Sequence, residues 1–93
     1  MRILNLTANP ASPAQVAAGV FEPKNKDVVQ NLLTYQVWPT ASEIADHAWH
    51  LSCIAGDHSA THALIDGPAF IIPSLVHELN LLGVEPIFAK DLQ

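Results

Sequence analysis

Between Thr61 and Ala89 the chain alternates its hydrophobic period in an order few folds accept. Thr61–Ile65 (THALI) reads as a short, apolar strand, and Asp66-Gly67-Pro68 interrupts it. Phe70, Ile71, Leu75, Val76, Leu79 and Leu82 then recur at helical spacing, Gly83 stops the pattern, and Glu85–Ala89 (EPIFA) reads as a second strand. Strand, helix and strand at this length are one βαβ unit, whose right-handed crossover makes the strands parallel and puts the helix on one face. The helix is expected from about Pro68 to Leu82. Pro73 inside it either kinks the helix or marks its true first turn, with Pro68–Ile72 as a lead-in.

The first half fits the same sheet. Arg2–Leu6 is a strand with Asn5 as its one polar interruption, and Thr7–Ser12 is a loop by composition. Ser12-Pro13-Ala14-Gln15 combines a capping box with a proline at the first helical position, and that helix ends at Gly19. Val20–Lys26 reads as irregular, Asp27–Thr34 as a second short helix, and Tyr35–Pro39 as a brief extended piece. Thr40-Ala-Ser-Glu43 is the clearest cap in the chain. Ile44, Ala48, Leu51 and Ala55 follow at helical spacing, with Gly56 expected to end the helix. The expectation is a single α/β domain over residues 1–93, with Ile3–Leu6, Ala63–Ile65 and Ile87–Ala89 in one short parallel sheet. Three strands leave apolar helix surface uncovered, so a homodimer is expected.

Composition narrows the function classes. Four basic residues against nine acidic ones, for a formal net charge of −5, exclude a broad duplex nucleic-acid face. A small nucleotide held by backbone amides needs only a local anion site. Cys53 is the single cysteine, which rules out an intrachain disulfide or a cysteine metal cluster and fits a reducing, cytoplasmic setting. No apolar run approaches a membrane span of roughly 18–20 residues, and no secretion signal is visible.

In open parallel sheets, ligands bind outside the carboxyl ends of the strands. Here that edge is Thr7–Asn9, Asp66–Ala69 and Lys90-Asp91. Gly67 either relaxes the turn or lets a phosphate reach the amides of Ala69 and Phe70, while Pro68 has no amide to donate. Asp66 either accepts turn amides or orients a ribose hydroxyl. Thr7 and Asn9 offer a hydroxyl and a carboxamide, and Lys90 a cation, though each also has an ordinary reading as a loop or solvated residue. No GxGxxG and no P-loop are present. His47 and His50, three apart with no third ligand, do not make a metal site, no HExxH occurs, and Cys53 reads as a core residue.

Met1–Thr7 (MRILNLT), Pro13–Val20 (PAQVAAGV), Asp66–Phe70 (DGPAF) with its following helix, and Pro86–Ala89 (PIFA) together resemble very small CRISPR-associated or phage-linked proteins related to ring nucleases. The resemblance implies a minimal Rossmann-like fold of two or three layers. It further implies a homodimer that binds a cyclic oligoadenylate and cuts it by attack of a ribose 2′-hydroxyl on the adjacent phosphate, with no metal or cofactor. The cut leaves a 2′,3′-cyclic phosphate end. Carried onto this chain, Asp66 and Lys90 are the catalytic candidates, and Thr7, Asn9, Gly67, Ala69 and Phe70 the ligand-binding ones. The chain departs from that family's pattern at Ala8-Asn9-Pro10, where a histidine is expected, at Asp66-Gly67, where a double glycine is expected, and at Ala89-Lys90, where a serine is expected. A non-catalytic nucleotide-binding protein and a small structural or interaction subunit are the alternatives.

Overall fold

Every residue of β1 (Ile3–Leu6) is buried, as befits a strand with neighbours on both edges and cover on both faces. The computed structural model describes residues 1–92. In chain order, β1 is followed by α1 (Pro13–Ala17), β2 (Val20–Phe21), α2 (Lys26–Leu32), α3 (Ala41–Asp57), β3 (His62–Ile65), α4 (Ile72–Leu81), β4 (Glu85–Phe88) and a 3-10 turn, Ala89–Asp91. The four strands form one all-parallel sheet in the order β2-β1-β3-β4. β1 pairs residue for residue with β3 from Ile3–His62 to Leu6–Ile65, and β3 with β4 from His62–Glu85 to Ile65–Phe88. This is an α/β fold with the arrangement of a small Rossmann-like domain.

The sheet has one strand more than expected. Val20 and Phe21, which read as irregular, pair with Ile3 and Leu4. Gly19 makes this possible: at φ 107° it reverses the chain after α1, and a Cβ there would stand 3.1 Å from the Met1 carbonyl. A two-residue strand is too short to display a period, so only its partner reveals it.

Alternation along β1 sorts the core. Leu4 and Leu6, with Ala63 and Ile65, face the larger cluster built from Val29 of α2, Ala48, Leu51 and Ala55 of α3, and Leu75 and Leu79 of α4. Ile3 and Leu64 face the other way, to Val20, Ala11, Ile87 and Leu92. That second layer is thin, and α1 buries none of its own residues.

Both capping boxes form. The Ser12 and Thr40 hydroxyls accept the Gln15 and Glu43 amides at 3.2 and 3.1 Å, and each partner side chain reaches back to the cap amide. Several segments differ from expectation: β4 ends at Phe88, leaving Ala89 in the 3-10 turn, and α2 covers Lys26–Leu32 rather than Asp27–Thr34. α3 runs one residue past Gly56. The left-handed residue after it is Ser59 (φ 53°), and the Arg2 guanidinium bonds the His58 and Ser59 carbonyls at 2.9 and 3.3 Å while lying over the Phe21 ring. Tyr35–Pro39 forms no strand. α4 starts at Ile72 rather than Pro68, because Pro73 has no N–H to donate into a helix begun earlier and is costless in a first turn. Among the described residues no helix is long and apolar enough to cross a membrane.

Candidate functional site at the carboxyl ends of β1 and β3

From β1 the chain crosses outward to β2, and from β3 it crosses the opposite way to β4. The carboxyl ends of the two inner strands therefore part without a crossover above them, which is the switch point where open α/β sheets hold ligands. Thr7 follows β1 there and Asp66 follows β3. Two hollows of about 300 Å³ each meet at Thr7, Asn9 and Asp66. One extends to Ala8, Leu33 and Gly67, the other to Ser12, Gln15, Ala89 and Lys90. A third, of about 240 Å³, joins Asp66, Gly67 and Ala69 to Lys90. The expected edge residues are thus brought together from three separate parts of the chain.

The β1 side is held by a polar cluster that sequence reading missed. Asn5, wholly buried, accepts the Thr7 amide at 3.0 Å and faces the Thr7 hydroxyl at 2.7 Å through its Oδ1. Its Nδ2 donates to the Asn9 carbonyl at 2.9 Å and to the Glu22 carboxylate at 3.1 Å. Lys26 pairs with Glu22 at 3.1 Å and donates to the Thr7 and Asn9 carbonyls at 2.6 and 2.9 Å, while Gln30 donates to the Ala8 carbonyl at 3.1 Å. Burial pushes the Glu22 carboxyl up. Bonds from the Ala11 amide, Asn5 and Lys26, with the Lys26 charge, outweigh it and hold the group below its ordinary 4.5.

The consequence is directional. The carbonyls of Thr7, Ala8 and Asn9 are all engaged by Asn5, Lys26 and Gln30. Among the described residues neither the Ala8 amide nor the Asn9 carboxamide has a partner. The loop's backbone acceptors are satisfied, the Thr7 and Asn9 amides are bonded to Asn5 and Thr7, and the Ala8 amide is the backbone donor left over. Thr7 itself is buried, with its hydroxyl between Asn5 Oδ1 and the Asn9 carbonyl, so it shapes the loop rather than facing a ligand.

On the β3 side, the exposed Asp66 accepts the Gly67 amide at 2.9 Å, as a turn aspartate does. Gly67 stands at φ 149°, and a Cβ there would meet Leu33 Cδ2 at 3.3 Å. Ala69 and Phe70 lie in the turn closed by the Ile71 amide on the Pro68 carbonyl at 3.1 Å. Their amides precede α4 instead of opening it, which corrects the expected geometry, and neither has a partner among the described residues. The Phe70 ring turns to Tyr35 and Trp38. Lys90 is exposed in the 3-10 turn.

The histidines lie elsewhere: His47 on Tyr35, His58 between the Ile54 carbonyl and the Lys24 amide, and His62 on Glu85. Of the cluster's members, Asn5 carried a signal, since a lone polar residue in an apolar strand demands buried partners. Glu22 and Lys26 carried none, because they straddle the end of β2 and the start of α2 rather than sharing a helix face. Compared with family models, curated proteins and solved structures, the chain has no match.

Proposed function

We propose that the crevice between β1 and β3 binds the phosphate of a small nucleotide, and that the nucleotide is a cyclic oligoadenylate. The observation that carries this reading is the polarity of the Thr7–Asn9 loop. Its carbonyls are bonded to Asn5, Lys26 and Gln30, so the lip offers the Ala8 amide and the Asn9 Nδ2 donor without competing backbone lone pairs. The amides of Ala69 and Phe70 and the Lys90 ammonium stand on the facing side, lining the same group of hollows through Ala69 and Lys90. Donors from both strand ends around a glycine suit an anion. Asp66, which opposes a phosphate directly, suits a ribose hydroxyl.

Cleavage is the extension of the same reading. Asp66 takes the proton of a ribose 2′-hydroxyl and the 2′-oxygen attacks the adjacent phosphorus. The bond to the 5′-oxygen breaks, and that oxygen is protonated from solvent. Lys90 and the amides stabilise charge on the phosphate, and the internal nucleophile needs only to be held in line. Without such turnover the protein is a binding protein for the same ligand.

Calorimetry against a panel of cyclic oligoadenylates, with mass spectrometry of the mixtures, tests both steps. Binding is expected to be lost in Gly67→Leu, and in Lys90→Ala to be weaker with a shallower salt dependence. Gln30→Ala frees the Ala8 carbonyl at the lip and weakens binding without abolishing it. No heat and no cleavage at high micromolar ligand overturns the reading, and heat without cleavage removes only the catalytic step.

A further inference from the structure

Trp38 is 84% exposed, the most exposed of the large apolar side chains, yet its ring is not loose. It leans on Phe70 at 5.5 Å between centroids and 57°. Phe70 meets Tyr35 edge-on at 4.9 Å and 80°, and Tyr35 stacks on His47 of α3 at 5.3 Å and 28°. The Tyr35 hydroxyl locks the column through His47 Nδ1 at 2.9 Å. The indole thus rests on Phe70, which the column fixes, and is otherwise bare. Burial in the chain's own core does not account for it, and an anchored open indole is a surface for a planar partner.

Its place in the fold says which partner. The segment ending at Trp38 begins at Leu33, whose side chain forms one wall of the crevice beside Gly67. Phe70, the ring beneath Trp38, stands three residues beyond Gly67, so at most about 11 Å of chain separates them. From this continuity we infer that Trp38, backed by Phe70 and Tyr35, stacks the base of the nucleotide whose phosphate the crevice holds, with an adenine as the ligand fragment. The inference rests on the nucleotide reading above. It gives the Phe70 side chain a supporting part in binding.

Trp49→Phe leaves Trp38 as the sole tryptophan, so its emission can be followed in titrations with AMP, adenosine and inorganic phosphate. AMP is expected to quench the emission, phosphate alone to leave it unchanged, and Trp38→Ala to weaken AMP binding about ten-fold by calorimetry while sparing phosphate. Trp38→Phe restores most of the affinity. AMP heat with unchanged Trp38 emission overturns the stacking and leaves the crevice reading intact. Quenching by adenosine with no tightening by phosphate keeps the stacking and overturns the crevice reading. No response to any of the three overturns both. Emission that shifts with protein concentration alone assigns the indole to a subunit contact and overturns the inference.

Discussion

Asn5 occupies a position that a central parallel strand ordinarily fills with an aliphatic side chain. Its cost is met because both ends of the carboxamide are bonded, to Thr7 on one side and to Asn9 and Glu22 on the other. Asn5→Ala leaves these groups unpaired and is expected to lower stability by about 1–3 kcal/mol in urea titrations, a larger loss than Asn31→Ala on the exposed side of α2. Glu22 adds a pH dependence. Its carboxyl is held below 4.5 in the fold, so its contribution is complete above the unfolded value and disappears as the pH falls through the folded one. Stability of Glu22→Gln should fall less steeply than that of the parent below about pH 5, and parallel acid curves would remove Glu22 from the account. Tyr35 works in the opposite range. Burial first, then the Glu43 charge, raises its phenol above 10.0, so the neutral form stabilises the fold below the unfolded value and the effect is lost as the pH rises through the folded one. As the only tyrosine, its phenolate absorbance reads this directly. The midpoint should lie above 10.0 in the folded protein, drop partway in Glu43→Gln, and return to the ordinary value in urea.

At the scale of elements, legibility follows how much of an element's signal is local. Both capping boxes declared themselves because Ser12–Gln15 and Thr40–Glu43 complete their bonds within four residues. Thr40→Ala is expected to cost about 1 kcal/mol, or roughly 4–8 °C in Tm for a domain of this size, and a scanning calorimeter resolves that. The start of α4 was ambiguous because two prolines, Pro68 and Pro73, each permit a first turn. The structure settles on the second, which leaves Asp66–Ile71 as a turn and its amides beside the crevice. α3 outruns Gly56 because its end is closed at Ser59 instead: Ser59 takes the left-handed conformation, the His58, Ser59 and Ala60 amides bond the Ile54, Gly56 and Ala55 carbonyls, and Arg2 holds the two carbonyls that follow. A serine in the left-handed position, three residues after a glycine that could have taken it, leaves no local pattern to read.

For the whole molecule, the uneven layering matters most. α2, α3 and α4 crowd one face of the sheet, and their outer surface keeps Trp49, Leu81 and Leu82 exposed. Leu82 lies against Gly56, two helical turns along α3 from Trp49, so Trp49 and Leu82 mark one stripe across α3 and the end of α4. A second copy seated on that stripe gives the proposed homodimer, joined where α3 and α4 end, at the amino ends of the strands, so each chain keeps its own crevice. Light scattering at micromolar concentration should give twice the chain mass, and Leu82→Glu should halve it while leaving the far-UV dichroism unchanged. A parent protein already at one chain mass overturns the dimer.

The sequence by itself determined the α/β class, the parallel pairing of β3 with β4, and the edge to which Thr7, Asn9, Asp66, Gly67 and Lys90 belong. Each follows from short-range periodicity together with the handedness of one βαβ crossover. Only the tertiary structure decided that Val20–Phe21 is a strand, that Thr7 faces inward, and that Glu22 and Lys26 brace the loop beside the crevice. It also put Trp38 above Phe70. A two-residue strand exists only through its partner, and the Glu22 carboxylate takes its place only because donors from Asn5, Ala11 and Lys26 converge on it, so neither leaves a mark within its own stretch of chain.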